Sequence, residues 1–225
     1  MKFTKYKRGS VIPLIRHINR TATHYNNPDI DFDKTKDNYS LLKSIEPDLD
    51  RYARIIESVH VNSRRDTTVL AEAIVTAPVG IRPENEKKFF VAVAKFLCEK
   101  FSEGNARWVV QATVHVDEPG ENHLHFVWCP CVKNNNKRAD KEYKVCVWQQ
   151  ITPTMLANIH AELQVHLNEH LDFDAPVHTG VTKASGGNRT MDQLKEQPRT
   201  KDRWRKKDIA DRDRTVAPDY ERNRW

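Results

Sequence analysis

The sequence contains no apolar run approaching the roughly 18 residues that a membrane-spanning helix requires. It also has no signal-length apolar core behind its basic start, and no CxxC pair. The first absence excludes a transmembrane helix, and the second argues against a secretory signal. The third disfavours a zinc site: Cys98 falls in a helical pattern, and Cys129, Cys131 and Cys146 fall in strand-like segments. They read as reduced, mostly buried thiols of a cytoplasmic protein. No internal repeat is present. What the chain has instead is charge. With 225 residues, 38% hydrophobic and 30% charged, it suits one sizeable soluble domain, with or without an extension. A net charge of +6 and a pI near 9.1 point to a polyanionic partner, nucleic acid first. From residue 189 onward 12 Lys/Arg face 8 Asp/Glu, so +4 of the excess lies in the last segment.

Helical and strand-like patterns interleave. Residues 10–19 read as a short helix capped by Ser10, with Val11, Leu14 and Ile15 on one side and Pro13 in its first turn. Residues 26–37 are turn formers without a period. After Pro47, Leu49, Tyr52, Ile55, Ile56 and Val59 recur at helical spacing. Residues 69–76 are apolar and partly β-branched, as in a buried strand. Pro83 then opens a helix striped by Phe89, Phe90, Val93, Leu97 and Phe101. From 108 to 116 the alternation places Trp108, Val110, Ala112, Val114 and Val116 on one face, and Gln111, Thr113, His115 and Asp117 on the other. A turn at 118–121 leads into a second alternating run at 123–129. A third strand is expected at 143–147 and a long helix at 152–171. The hairpin must be antiparallel, so the expected fold is α/β (α+β), a mainly antiparallel central sheet flanked by helices. The expected boundaries are a catalytic domain at 1–185 and an exposed or partly disordered basic extension at 186–225.

The strongest chemical signal is His115-Val-Asp-Glu-Pro-Gly-Glu-Asn-His123-Leu-His125. His115 lies opposite Val114 and Val116 on its strand. His123 and His125 share a face of the returning strand, so the hairpin brings three imidazoles to one side of the sheet. Three neutral imidazoles with open coordination positions make a catalytic metal site, and Asp117 and Glu118 lie close enough to orient ligands or serve as a base. One such histidine would read as a solvated surface residue. Three on one face, between apolar runs, favour a metal. His160, His166 and His170 share a helix without a third ligand and read as surface residues; His60 and His178 carry no assignment.

Taken with two upstream segments, this hairpin resembles the Mob/Pre (MobV-type) plasmid mobilisation and recombination relaxases of the HUH endonuclease group. The likeness covers about residues 1–180 and rests on three blocks in order. His17-Ile-Asn-Arg20 is similar to the family's HxxR block. Asn27-Pro-Asp29-Ile-Asp31, with Asn38-Tyr39-Ser-Leu downstream, is similar to its NxDI…NY.L stretch. His115-x-Asp-Glu118 leading to His123-x-His125 is similar to its HxDE…HxH block. Two positions depart from the pattern: the hairpin is one residue longer, with Asn122 in place of a proline, and Ser40 stands where the family often has Glu. A hairpin tip can absorb the extra residue without turning the histidines to the other face.

The resemblance implies an HUH relaxase-like fold in a bacterial cytoplasm. The substrate would be single-stranded or supercoiled DNA at a plasmid origin of transfer, with coupling or accessory mobilisation proteins as further partners. Mn²⁺ or Mg²⁺ would be held by His115, His123 and His125. His17 would be the nucleophile, with Glu118 as its neighbouring base. Arg20, one turn on, would steady phosphate charge and contact DNA. Asn38 would position the backbone or the nucleophile, and Tyr39 would meet the DNA. In the basic tail, Trp204 among Arg203, Arg205, Lys206 and Lys207 would grip single-stranded DNA by charge and stacking, a solvated linker being the equal alternative. Rival readings are an HUH replication initiator or transposase using a tyrosine (Tyr25 ahead of Tyr39), a non-catalytic basic DNA-binding protein, and a zinc hydrolase of small substrates.

Overall fold

The alternating run at the centre of the histidine hairpin becomes the middle of the sheet. The computed structural model describes residues 1–178 apart from 26 and 137. Its main sheet has five strands, all antiparallel: β1 (Lys2–Lys7), β2 (Tyr39–Ser40), β3 (Thr68–Thr76), β4 (Val109–His115) and β5 (His123–Trp128), in the spatial order β1-β3-β5-β4-β2. A two-stranded sheet pairs β6 (Cys131–Lys133) with β7 (Tyr143–Val145). The helices are α1 (Val11–Ile18), α2 (Asp48–Ser58), α3 (Pro83–Phe101), α4 (Val147–Gln150) and α5 (Pro153–His170). These elements lie in one compact unit, Met1–Thr179. No helix among the described residues is long and apolar enough to cross a membrane.

Both faces of the sheet are covered, so its central strands bury nearly every side chain. One face packs on α3, α4 and α5: Phe89, Phe90, Val93 and Leu97 from α3 and Ile159, Leu163 and Leu167 from α5 meet Ala73, Val75, Val114, Leu124 and Phe126. Trp128 stacks on Phe101 there at 4.5 Å. The other face carries α1 and α2, whose Val11, Leu14, Ile15, Ile18 and Ile55 meet Leu70, Val110 and Val127. Pro83 sits in the first turn of α3, and the Thr152 hydroxyl caps α5 by accepting from the Met155 N–H.

The clean alternation expected over 108–116 does not hold. The register of β4 on β5 shifts between Val109 and Gln111, and this bulge re-aims the strand. Trp108 and Val110 join the core beneath α1 and α2, whereas Ala112 and Val114 face α3 and α5. Strand β1 was not expected, because an edge strand needs little apolar sequence and its lysines discourage further pairing. Ser10 precedes α1 without making a side-chain cap. The four cysteines are free thiols, and burial pushes the Cys129 thiol up.

Candidate active site

The face of the sheet beneath α1 carries the polar cluster. In the β4–β5 ladder His115 pairs directly with His123, and His125 stands opposite Thr113. Directly opposed residues share a face, and so do residues two apart. The three imidazoles therefore converge, with ring centroids 5.5 Å (His115–His123), 4.4 Å (His115–His125) and 4.9 Å (His123–His125) apart. The seven-residue loop between the strands absorbs the extra hairpin residue, and Gly120 takes a φ of +116° that other residues avoid. Each histidine has a ligand-capable nitrogen within 4.8 Å of the others, and His115, Asp117 and Glu118 form a second group of that kind. Imidazole nitrogens beside carboxylate oxygens fit a divalent cation.

The hydrogen bonds fix the tautomers. Glu72, a buried carboxylate on β3, accepts from the Tyr6 hydroxyl at 2.6 Å and from His125 Nδ1 at 2.7 Å. Burial would raise its pKa, but His125 and Tyr6 outweigh that and hold it below the usual range. An anionic carboxylate can only accept, so the His125 proton is on Nδ1 and Nε2 is bare. That Nε2 faces His123 Nε2 at 3.1 Å. Burial lowers His125. Burial, then the neighbouring His125, brings His123 down to about 4, so both rings are neutral at pH 7. His115 is held on both sides: Nε2 donates to the Ile18 carbonyl at 2.8 Å, and Nδ1 accepts from Arg20 Nη2 at 3.1 Å. Glu72 escaped the sequence reading. The signal was a lone carboxylate inside an apolar strand, where an ionisable group needs a buried partner.

Arg20 organises the other half of the site. It lies just beyond α1 rather than on its surface. Arg20 N–H bonds the His17 carbonyl and Thr21 N–H bonds the Arg16 carbonyl, the pattern of a Schellman stop. Glycine is the usual residue there, yet Arg20 takes a φ of +55°. The turn sends its side chain back under the helix, 2% exposed, where it donates to Asp117 Oδ2 at 2.8 Å and Oδ1 at 2.7 Å, and to Glu118 Oε1 at 2.6 Å. Burial works against the charge on Asp117, but hydrogen bonds from Arg20, Asn38 and Thr35 keep its carboxyl far below the usual range. Glu118 is likewise held low: burial opposes its charge, and the hydrogen bond and charge of Arg20 outweigh it.

His17 lies on α1 with its ring centroid 6.3 Å from that of His125 and 5.9 Å from that of Tyr25. Burial lowers its pKa, helped by Arg20 and His125, so it is neutral at pH 7. Of the two roles expected for Asn38, positioning the backbone or the nucleophile, its contacts are of the first kind: it donates to Asp117 and accepts from the Val116 N–H. Tyr39, expected at the DNA, pairs with Val114 on the opposite face and packs into the core beneath α3. Burial, then Glu86, pushes its phenol up to about 12. His166, expected at the surface, is buried against α3, 5.5 Å from Phe96. Arg203, Trp204, Arg205, Lys206 and Lys207 lie outside the described residues.

Comparison with known proteins bears on this arrangement. The profile of a family described as plasmid recombination enzyme matches residues 1–172. A plasmid recombination enzyme of Bacillus sp. is 32% identical over 118 residues, 49% of this chain and 28% of that protein. One from Lactiplantibacillus plantarum is 23% identical over 177 residues, 75% of this chain and 46% of that protein. The chain thus spans less than half the length of these relatives. Among solved structures, the MobM relaxase domain, Mn-bound and bound to plasmid oriT DNA, superposes with a TM-score of 0.67 at 20% identity, covering 87% of this chain and 96% of that one. The two share a fold.

Proposed function

We propose, from the premise that this chain belongs to the plasmid recombination enzyme family, that it is a plasmid-mobilisation relaxase: a metal-dependent nuclease that nicks one strand of origin-of-transfer DNA and keeps the cut end covalently bound. The observation that carries this reading is the convergence of three imidazoles and two carboxylates beside a neutral His17. His123 and His125 would hold the cation. His115 would join them by exchanging its contact with Arg20 or Ile18. We assign Mn²⁺ ahead of Mg²⁺, because a nitrogen-rich donor set suits the softer ion. When bound, the cation would draw charge from the oxygens of the scissile phosphate.

His17 supplies the nucleophile. Its ring is uncharged at pH 7 and offers a nitrogen lone pair. A nitrogen–phosphorus bond forms as the bond from phosphorus to the 3′ oxygen breaks. The other ring nitrogen of His17 gives up its proton to solvent while the departing oxygen takes one up from solvent and leaves as a hydroxyl, and a later 3′-hydroxyl reverses the step and rejoins the strand. Glu118 contributes charge rather than proton abstraction, since a carboxylate held so low is a weak base at neutral pH. Arg20 keeps both carboxylates and His115 in place. Coupling or accessory mobilisation proteins would be its further partners.

The test is nicking of a supercoiled plasmid that carries the DNA flanking this chain's own gene. Relaxation with Mn²⁺ that EDTA abolishes supports the relaxase. Tight duplex binding without cleavage under any divalent metal points to a DNA-binding protein instead.

A further inference from the structure

We propose that Phe32 and Tyr25 form a stacking platform for a nucleobase flanking the phosphate that His17 attacks; the proposal rests on the relaxase reading. An aromatic ladder leads outward from the nucleophile. The Tyr25 ring lies 5.9 Å from His17 at an interplanar angle of 46°, and Phe32 lies 5.5 Å beyond Tyr25 at 62°. Phe32 is 59% exposed at the outer end, whereas Ile30, two residues earlier, is 7% exposed. A single exposed phenyl ring needs no explanation by itself. This one is different because of where it is held.

Its loop is pinned to the strand end that carries the carboxylates. Asp31 N–H bonds the Asp117 carbonyl at 2.8 Å, Thr35 Oγ1 donates to Asp117 Oδ2 at 2.9 Å, and Asn27 Nδ2 donates to Glu118 Oε2 at 3.1 Å. Phe32 therefore keeps a fixed position relative to the site although it faces solvent. Tyr25 is fixed as well, since its hydroxyl accepts the Ala22 N–H at 3.0 Å, and the Arg20 guanidinium lies 5.8 Å from its ring centroid. Lys34 is paired with Asp31 at 2.8 Å, so the outer end of the ladder offers an apolar face rather than a phosphate clamp. Every nucleobase has a π face to lay on such a ring. The two centroid steps from His17 equal only a few base steps of roughly 3.4 Å. The occupant is thus a base within a few nucleotides of the cut, held by stacking and without sequence readout.

The test uses single-stranded oligonucleotides spanning the nick mapped on the chain's own flanking DNA, with 2-aminopurine or an abasic residue walked across the positions around it. Wild type should quench 2-aminopurine at one or two positions. Phe32→Ala should lose that quenching and bind the intact oligonucleotide about 5- to 100-fold more weakly, with Mn²⁺ affinity unchanged. Phe32→Trp should restore both, and an abasic residue at the quenched position should make wild type bind like Phe32→Ala. If Phe32→Ala quenches and binds as wild type does, or loses equally on intact and abasic DNA, the platform is refuted while the relaxase stands. If wild type neither binds nor cuts these oligonucleotides, both readings fall.

Discussion

Replacing Arg20 by alanine should destabilise the fold sharply, and the reason lies in what the side chain leaves behind. Asp117 is 0% exposed, and in the wild type its charge is met by two bonds from Arg20 and one each from Thr35 and Asn38. Truncation removes its one cationic partner among the described residues. Removing one member of a buried ion pair costs about 3–5 kcal/mol, against a total stability of roughly 5–15 kcal/mol for a domain. With a urea slope of about 2 kcal/mol/M, the midpoint should drop by about 2 M. The backbone adds a second, separable effect. At φ +55° alanine is as strained as arginine, whereas glycine relieves a penalty of the order of 1–3 kcal/mol. Arg20→Gly should therefore be more stable than Arg20→Ala. Asp117 contributes stability above the usual carboxylate pKa, and this is lost only as the pH falls through its depressed folded value. Without Arg20 the carboxyl rises and protonates more readily, so the gap between wild type and Arg20→Ala should narrow below about pH 4. Urea unfolding followed by tryptophan fluorescence reads all of this, since Trp108 and Trp128 are buried. A loss under about 1 kcal/mol, or a glycine variant less stable than the alanine one, would refute the reasoning.

Glu72→Gln should weaken Mn²⁺ binding about 10- to 100-fold by calorimetry, because a neutral amide replaces the anionic acceptor that keeps the His125 proton on Nδ1; unchanged affinity would remove Glu72 from the site. His123 carries a pKa lowered from 6.5 to about 4, so the unfolded chain binds its proton first. Stability should fall as the pH drops from about 6.5 to 4, and His123→Gln should flatten that slope in urea titrations. Tyr39→Phe should leave the covalent protein–DNA adduct intact on denaturing gels, since its phenol lies on the far face of the sheet.

The hairpin was legible because strand periodicity is strict: residues two apart must share a face, and His115, His123 and His125 obey this in the structure. The bulge at 109–111 was not legible, because Trp108, Val110 and Val114 are apolar on whichever face they fall. Spacing also put Arg20 one turn beyond His17, but could not say that the chain reverses there into a left-handed residue. That reversal is what carries the guanidinium to Asp117. Glu72 and Tyr6 meet across β1 and β3, a contact between distant segments to which local pattern is blind. The face of Tyr39 was not legible either, because its short strand pairs through Val114 and takes that residue's face.

The most direct measurement is to identify the residue bonded to DNA. A trapped complex is digested, and the nucleotide-bearing peptide is sequenced by mass spectrometry. The account predicts the 5′-phosphoryl group on His17, through an acid-labile phosphorus–nitrogen bond that is lost in His17→Ala. An acid-stable adduct on Tyr25, or cut DNA with a free 5′ end and no peptide attached, would contradict it.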